Sequence, residues 1–181
     1  MTNLEKIKEF CKMKDFRHQR DILSEEASEM IMILSALNVR YYSHFTNKPT
    51  LECYAWIDSL ADLEICLTQM AIYCGEASLE KYIYHFGESI PPHVDSMMAT
   101  KDDIYLLAYL SKMISKARRN DSVTDVAKAF ENFKIALYFT IKRFLDDARE
   151  SLLAKGLTEY YNQVFEQKLD KAIETFKEVS E

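Results

Sequence analysis

Apolar residues recur at helical spacing along most of the chain. Between Asp21 and Leu37, the residues Leu23, Ala27, Met30, Leu34 and Leu37 alternate steps of four and three, which lines up one face of a helix. Trp56, Leu60, Leu63, Leu67 and Met70 repeat the pattern in a helix expected over 51–74, entered at Pro49 and Thr50 and broken or bent at Gly75. Thr2-x-x-Glu5 reads as a capping box ahead of a short first helix. Thr100-x-x-Asp103 opens a helix to about Arg119, and Ser122-x-x-Asp125 a long one to about Ala154, which Gly156 ends. A final amphipathic helix sets Phe165, Leu169, Ala172 and Phe176 on one face. "NVRYYSHFTNKP" is expected to be an aromatic-rich loop, and "EASLEKYIYHFGESIPPHV" to hold a short helix stopped by Gly87 and Pro91-Pro92.

Beside each of the first two core stripes runs another that mixes apolar residues with acids. On the first helix it is Ile22, Glu26, Glu29, Ile33 and Ala36; on the second it is Asp58, Asp62, Ile65 and Gln69. Carboxylates one turn apart repel by only ~0.2–0.5 kcal/mol in water. Partly withdrawn from it they cost far more, and protonation or a bound cation is the usual remedy. A helix starting near Asp21 would offer Glu25, Glu26 and Glu29 a milder explanation, as acids of a solvated first turn that meet the helix dipole. Asp62 has no such account. It sits mid-helix between Ala61 and Leu63, where aspartate has poor propensity and nothing to cap. Packed antiparallel with these stripes facing, the two helices would gather four carboxylates, an oxygen-rich site suited to Mg²⁺ or Mn²⁺.

Composition narrows the class. A length of 181 residues suits one domain with a substantial core, and 48% hydrophobic with 29% charged residues is a folding composition. Three glycines and three prolines are too few for a strand-and-turn fold. The expected fold is therefore all-α, a bundle of about four long helices with short peripheral ones. A net charge of −6 without long like-charge runs argues against nucleic acid as a partner. The opening "MTNLEKIKEFCK" lacks a signal-peptide core and no apolar run would span a bilayer, so no membrane partner and a cytoplasmic location are expected. Cys11, Cys53, Cys66 and Cys74 show no paired spacing and read as reduced packing residues.

The run "SEEASEMIMILSAL", followed a loop later by "DSLADLEICLTQM", resembles the all-α nucleoside triphosphate pyrophosphohydrolases, the MazG-like and dimeric dUTPase-like superfamily. That family carries EExxE on one helix and ExxD on the next. Glu25-Glu26-x-x-Glu29 matches the first half, and Asp62 matches the aspartate of the second. The family's second-helix glutamate is replaced by Ser59, and Asp58 is the expected substitute, since i and i+4 share a face as i and i+3 do. The resemblance covers roughly residues 20–75. It implies a Mg²⁺-dependent (or Mn²⁺-dependent) hydrolase that splits a nucleoside triphosphate into the monophosphate and pyrophosphate. It further implies that Glu26, Glu29, Asp58 and Asp62 hold the metal, and that one of Glu26, Glu29 and Asp62 orients or deprotonates the attacking water. Glu25, Arg40 and Lys112 are weaker candidates for helping the substrate, and Trp56, Tyr41, Tyr42 or Phe45 for stacking on its base. The rival expectation is a non-catalytic helical interaction module that has lost the family's chemistry.

The second half holds an echo of the first. "SEMIMILSA" aligns with "SKMISKARR" and "ADLEICLTQ" with "ENFKIALYF", which places Lys112 opposite Glu29, Lys128 opposite Asp58 and Asn132 opposite Asp62. Residues 101–147 would then be a degenerate second hairpin that supplies cations and walls. The chain would be a monomer with pseudo-twofold symmetry, or a homo-oligomer.

Overall fold

Thr2 starts the fold where the sequence places it. Its Oγ1 accepts from the Glu5 backbone at 3.3 Å while its own N–H donates to the Glu5 carboxylate at 2.7 Å, closing the capping box ahead of α1 (Asn3–Met13). The computed structural model describes residues 2–41, 51–74, 103–119 and 132–180. Among these there is no strand, and α1 is followed by α2 (Phe16–Tyr41), α3 (Leu51–Tyr73) and α4 (Asp103–Arg119). A fifth helix, α5, covers 132–154, and α6 spans Thr158–Ser180. The chain is an all-α bundle. No described helix is long and apolar enough to cross a membrane.

α2 departs from its expected bounds at both ends. Asp15 is its cap, with Oδ1 accepting the His18 backbone N–H at 2.9 Å, a bond that holds the Asp15 carboxyl below its ordinary range. Residues 38–41, expected in a loop, continue the helix. The rest of that aromatic segment, the expected short helix within 76–94, and the stretch 120–131 with Lys128 lie outside the described residues.

α2 and α3 pack antiparallel, with Phe16 edge-on to Tyr73 at one end and Glu29 against Ser59 toward the other. The expected stripes form the core: Leu23, Ala27 and Met30 face Leu60, Leu63, Leu67 and Met70, all buried. Each such Leu or Met contributes about 1.5–3 kcal/mol by leaving water. α4 covers the other side of α2, and α6 runs along α3, Tyr160 meeting Tyr54 and Lys168 meeting Asp62. α1 bridges α3 and α6, with Phe10 against Phe176 and Lys6 paired to Asp170 at 2.6 Å. The Tyr73 hydroxyl donates to the Cys11 and Lys14 carbonyls, pinning the α1–α2 turn to the end of α3.

α5 contains a π-helical turn, Thr140–Leu145. The Thr140 hydroxyl donates to the Ala136 carbonyl at 2.9 Å, the acceptor a regular turn reserves for the Thr140 N–H. Residues five apart then stack, so Phe139 and Phe144, and Thr140 and Leu145, are buried together. α5 ends as the sequence predicts. Gly156 adopts φ +66°, its N–H donates to the Leu153 carbonyl at 3.1 Å and the Leu157 N–H to the Leu152 carbonyl at 2.9 Å, a Schellman motif. A side chain at Gly156 would meet nothing within 4 Å, so substitution costs only backbone conformation. Gly156→Ala is expected to destabilise by about 1–2 kcal/mol, read as a lower urea midpoint with an unchanged slope.

Candidate functional site

With α2 beginning at Phe16, Glu26 lies ten residues inside the helix, about 15 Å from its start. The dipole has faded there, since its effect is confined to the first turn. The explanation of these acids as a solvated helix start therefore fails, and tertiary surroundings decide their state. Glu25 is exposed, Glu29 is exposed, and Glu26 is half-buried at the edge of the core that holds Leu23, Ala27 and Met30.

Across the interface, α3 presents Asp58, Ser59 and Asp62. Ser59 is 2% exposed, and its hydroxyl donates to Glu29 Oε1 at 2.6 Å. Asp58 is exposed and Asp62 half-buried, and both accept from Lys168 Nζ of α6, at 2.8 and 2.5 Å. Burial pushes the Glu26 carboxyl up to about 7; Asp62, Glu29 and Glu25 push the same way, against Lys168. Asp62 is also raised, first by burial and then by Asp58 and Glu29, with Lys168 opposing. Burial works against the charge of Lys168, but its bonds to the two aspartates outweigh that and raise its pKa. The buried Cys66 thiol, one turn from Asp62, is held up by burial and then by Glu26 and Asp62. Two carboxylates therefore share one ammonium group, whose charge also reaches Glu26.

Of the four acids expected to act together, Asp58 and Asp62 are brought to Lys168, and Glu26 and Glu29 within electrostatic reach of Asp62. Lys112 and Trp56 are not among them. Lys112 is exposed on α4 and is not among the charges acting most strongly on Glu26 or Asp62. The backbone of Arg40 continues α2, and its side chain lies outside the described residues. Trp56 is buried in the core, and the side chains of Tyr41, Tyr42 and Phe45 lie outside the described residues. The cation at the site comes instead from α6. Its signal was present in the sequence, since Lys168 interrupts the apolar face between Phe165 and Ala172 at spacings of three and four. Ser59, at the position where the resembled family has its glutamate, is a buried donor to one of the acids.

In chemistry this donor set fits a hard divalent cation: oxygen ligands only, partly desolvated, with more negative charge than one lysine offsets. As the side chains stand, Glu29 turns to Ser59, and Asp58 and Asp62 turn to Lys168. Among the described residues no three His, Cys, Asp or Glu side chains are arranged to hold a metal ion. A cleft of about 520 Å³ lies elsewhere, between α1, α3, α5 and α6. Its charged groups are occupied with each other: Arg149 donates to Glu64 at 2.7 Å and Tyr161 donates to the other Glu64 oxygen. No family model, curated protein or solved structure matches the chain.

Two outcomes follow from this geometry. Glu26 has a raised folded-state pKa, so its contribution to stability is fully present below its ordinary value near 4.5 and is lost as pH rises through about 7. In chelator-treated protein, Glu26→Gln should remove that pH dependence and stabilise at pH 8 by on the order of 1–2 kcal/mol, allowing for screening of a half-exposed group, as read by urea denaturation at pH 5 and pH 8. Ser59→Ala should destabilise by about 1–2 kcal/mol at pH 8, because a buried bond to a carboxylate is lost; a silent substitution would mean Glu29 finds water instead.

Proposed function

We propose that the chain is a Mg²⁺-dependent nucleoside triphosphate pyrophosphohydrolase of the MazG-like type. The observation that supports this reading is the under-neutralised carboxylate cluster of Glu26, Glu29, Asp58 and Asp62, on facing helices, in the positions the sequence resemblance assigns. Glu26, Glu29 and Asp62 would hold the cation, with Asp58 at the exposed edge. When bound, the cation neutralises the triphosphate and polarises its phosphorus–oxygen bonds. One of Glu26, Glu29 and Asp62 would orient or deprotonate the attacking water. Ser59 fixes one oxygen of the Glu29 carboxylate. Lys168 is placed to leave the aspartates for phosphate oxygens as positive charge arrives among them.

One observation favours a second reading, a non-catalytic helical module. Lys168 already bridges Asp58 and Asp62, so the chain carries part of its own counter-charge. A panel of common NTPs and dNTPs with Mg²⁺, assayed for pyrophosphate, separates the two. Activity is expected with at least one of them, and Asp62→Asn or Glu26→Gln should reduce it at least about tenfold while stability holds or rises. No pyrophosphate release together with no Mg²⁺ or Mn²⁺ binding would establish the second reading. An Asp62→Asn protein that keeps metal affinity and merely loosens would overturn the site assignment.

A further inference from the structure

One exposed aromatic pair adjoins the carboxylate cluster. Tyr54 of α3 and Tyr160 of α6 meet edge to face, ring centroids 5.4 Å apart at 79°, yet remain 42% and 41% exposed. They occupy the same seam as the charged groups. Tyr54, Asp58 and Asp62 follow one another at i, i+4 and i+8 on α3, as Tyr160, Val164 and Lys168 do on α6. The seam therefore has an aromatic end and a charged end, about 12 Å apart along either helix at 1.5 Å per residue. The Phe16–Phe133 pair is more closed in, with Phe133 wholly buried and Phe16 half-buried. Here both rings of the pair keep aromatic surface in solvent, on which a planar ring can stack.

We infer that Tyr54 and Tyr160 are the stacking platform for the base of a nucleotide whose phosphates reach Lys168 and the acids around Asp62, an inference that rests on the triphosphate reading above. The pair makes the ligand a nucleotide rather than a bare polyphosphate. Because every base presents a π face, it tolerates different bases and contributes affinity more than choice among them. Both tyrosines act on binding, so their removal raises KM and leaves kcat largely intact.

The test is calorimetric titration, with Mg²⁺, of an α,β-methylene nucleoside triphosphate and, separately, of inorganic tripolyphosphate. Tyr54→Ala and Tyr160→Ala should each weaken nucleotide binding about fivefold or more and leave tripolyphosphate binding unchanged, while Tyr54→Phe and Tyr160→Phe behave as wild type. Wild-type protein that binds the nucleotide, with alanine variants that bind it equally well, overturns the platform and leaves the triphosphate reading intact. Equal loss of both ligands in the alanine variants also overturns it, since the rings would then be shaping the charged end. Wild-type protein that binds neither ligand overturns the triphosphate reading and the platform with it.

Discussion

Acids withdrawn from water must be neutralised or protonated, and for Asp58 and Asp62 the counter-charge is one ammonium group. Lys168 reaches across from α6 to Asp58 and Asp62 on α3, and its charge also opposes the rise of the Glu26 pKa on α2. Three helices are thus tied electrostatically at one point. Much of the rest of the fold serves to bring Lys168 there. Gly156 turns the chain from α5 into α6, and Phe165 and Leu169, buried on either side of the lysine, seat the helix. Further along, Phe176 against Phe10 and Asp170 against Lys6 fix α6 to α1.

The lysine is not sufficient. Desolvation outweighs it at both half-buried acids: Glu26 is lifted to about 7 and Asp62 is raised despite a direct bond to the ammonium group. A bundle gains nothing in stability from this arrangement. Apolar residues at 26 and 62 would continue the stripes of Ile22 and Ile65 and bury more hydrocarbon between α2 and α3. The surplus of acid is the feature that packing alone leaves unexplained.

The fold was legible to the extent that it follows from local periodicity. The stripes through Leu23 and Trp56, the Thr2 capping box and the Gly156 stop each involve residues within a few turns of one another, where spacing and backbone chemistry suffice. The start of α2 was misplaced because Asp15 caps a first turn, Phe16 to Gln19, that lacks the apolar spacing used to recognise the helix. That misplacement had a consequence, since it lent Glu26 and Glu29 a dipole they do not feel. The acids of the site were legible as interruptions of apolar stripes. Lys168 was legible only as an interruption of the α6 face; its pairing with Asp62, 106 residues away, was not, because that depends on α6 lying along α3. Tyr54 was passed over for a similar reason. Its neighbour Trp56 is the larger ring, but Trp56 faces the core and Tyr54 faces the seam.

α3 itself provides the comparison that distinguishes structural from functional burial of an acid. Two residues after Asp62, Glu64 is also drawn out of water, and there the arrangement is closed. One carboxylate oxygen accepts from Arg149, which also pairs with Asp146 at 3.4 Å, and the other accepts from the Tyr161 phenol. Burial, the Glu64 charge and their hydrogen bond hold the Tyr161 phenol protonated, while Glu64 favours the charged form of Arg149. The result joins α3, α5 and α6 with both carboxylate oxygens of Glu64 engaged. This is how the chain buries a carboxylate when holding helices together is the whole task. At Asp62 it does otherwise, setting two aspartates on one lysine, with Glu29 pushing Asp62 and Glu26 further up and Glu26 lifted to about 7. The same helix therefore carries one saturated cluster and one unsaturated cluster, two residues apart. The unsaturated one is the cluster that still has electrostatic free energy to gain from a ligand bringing positive charge.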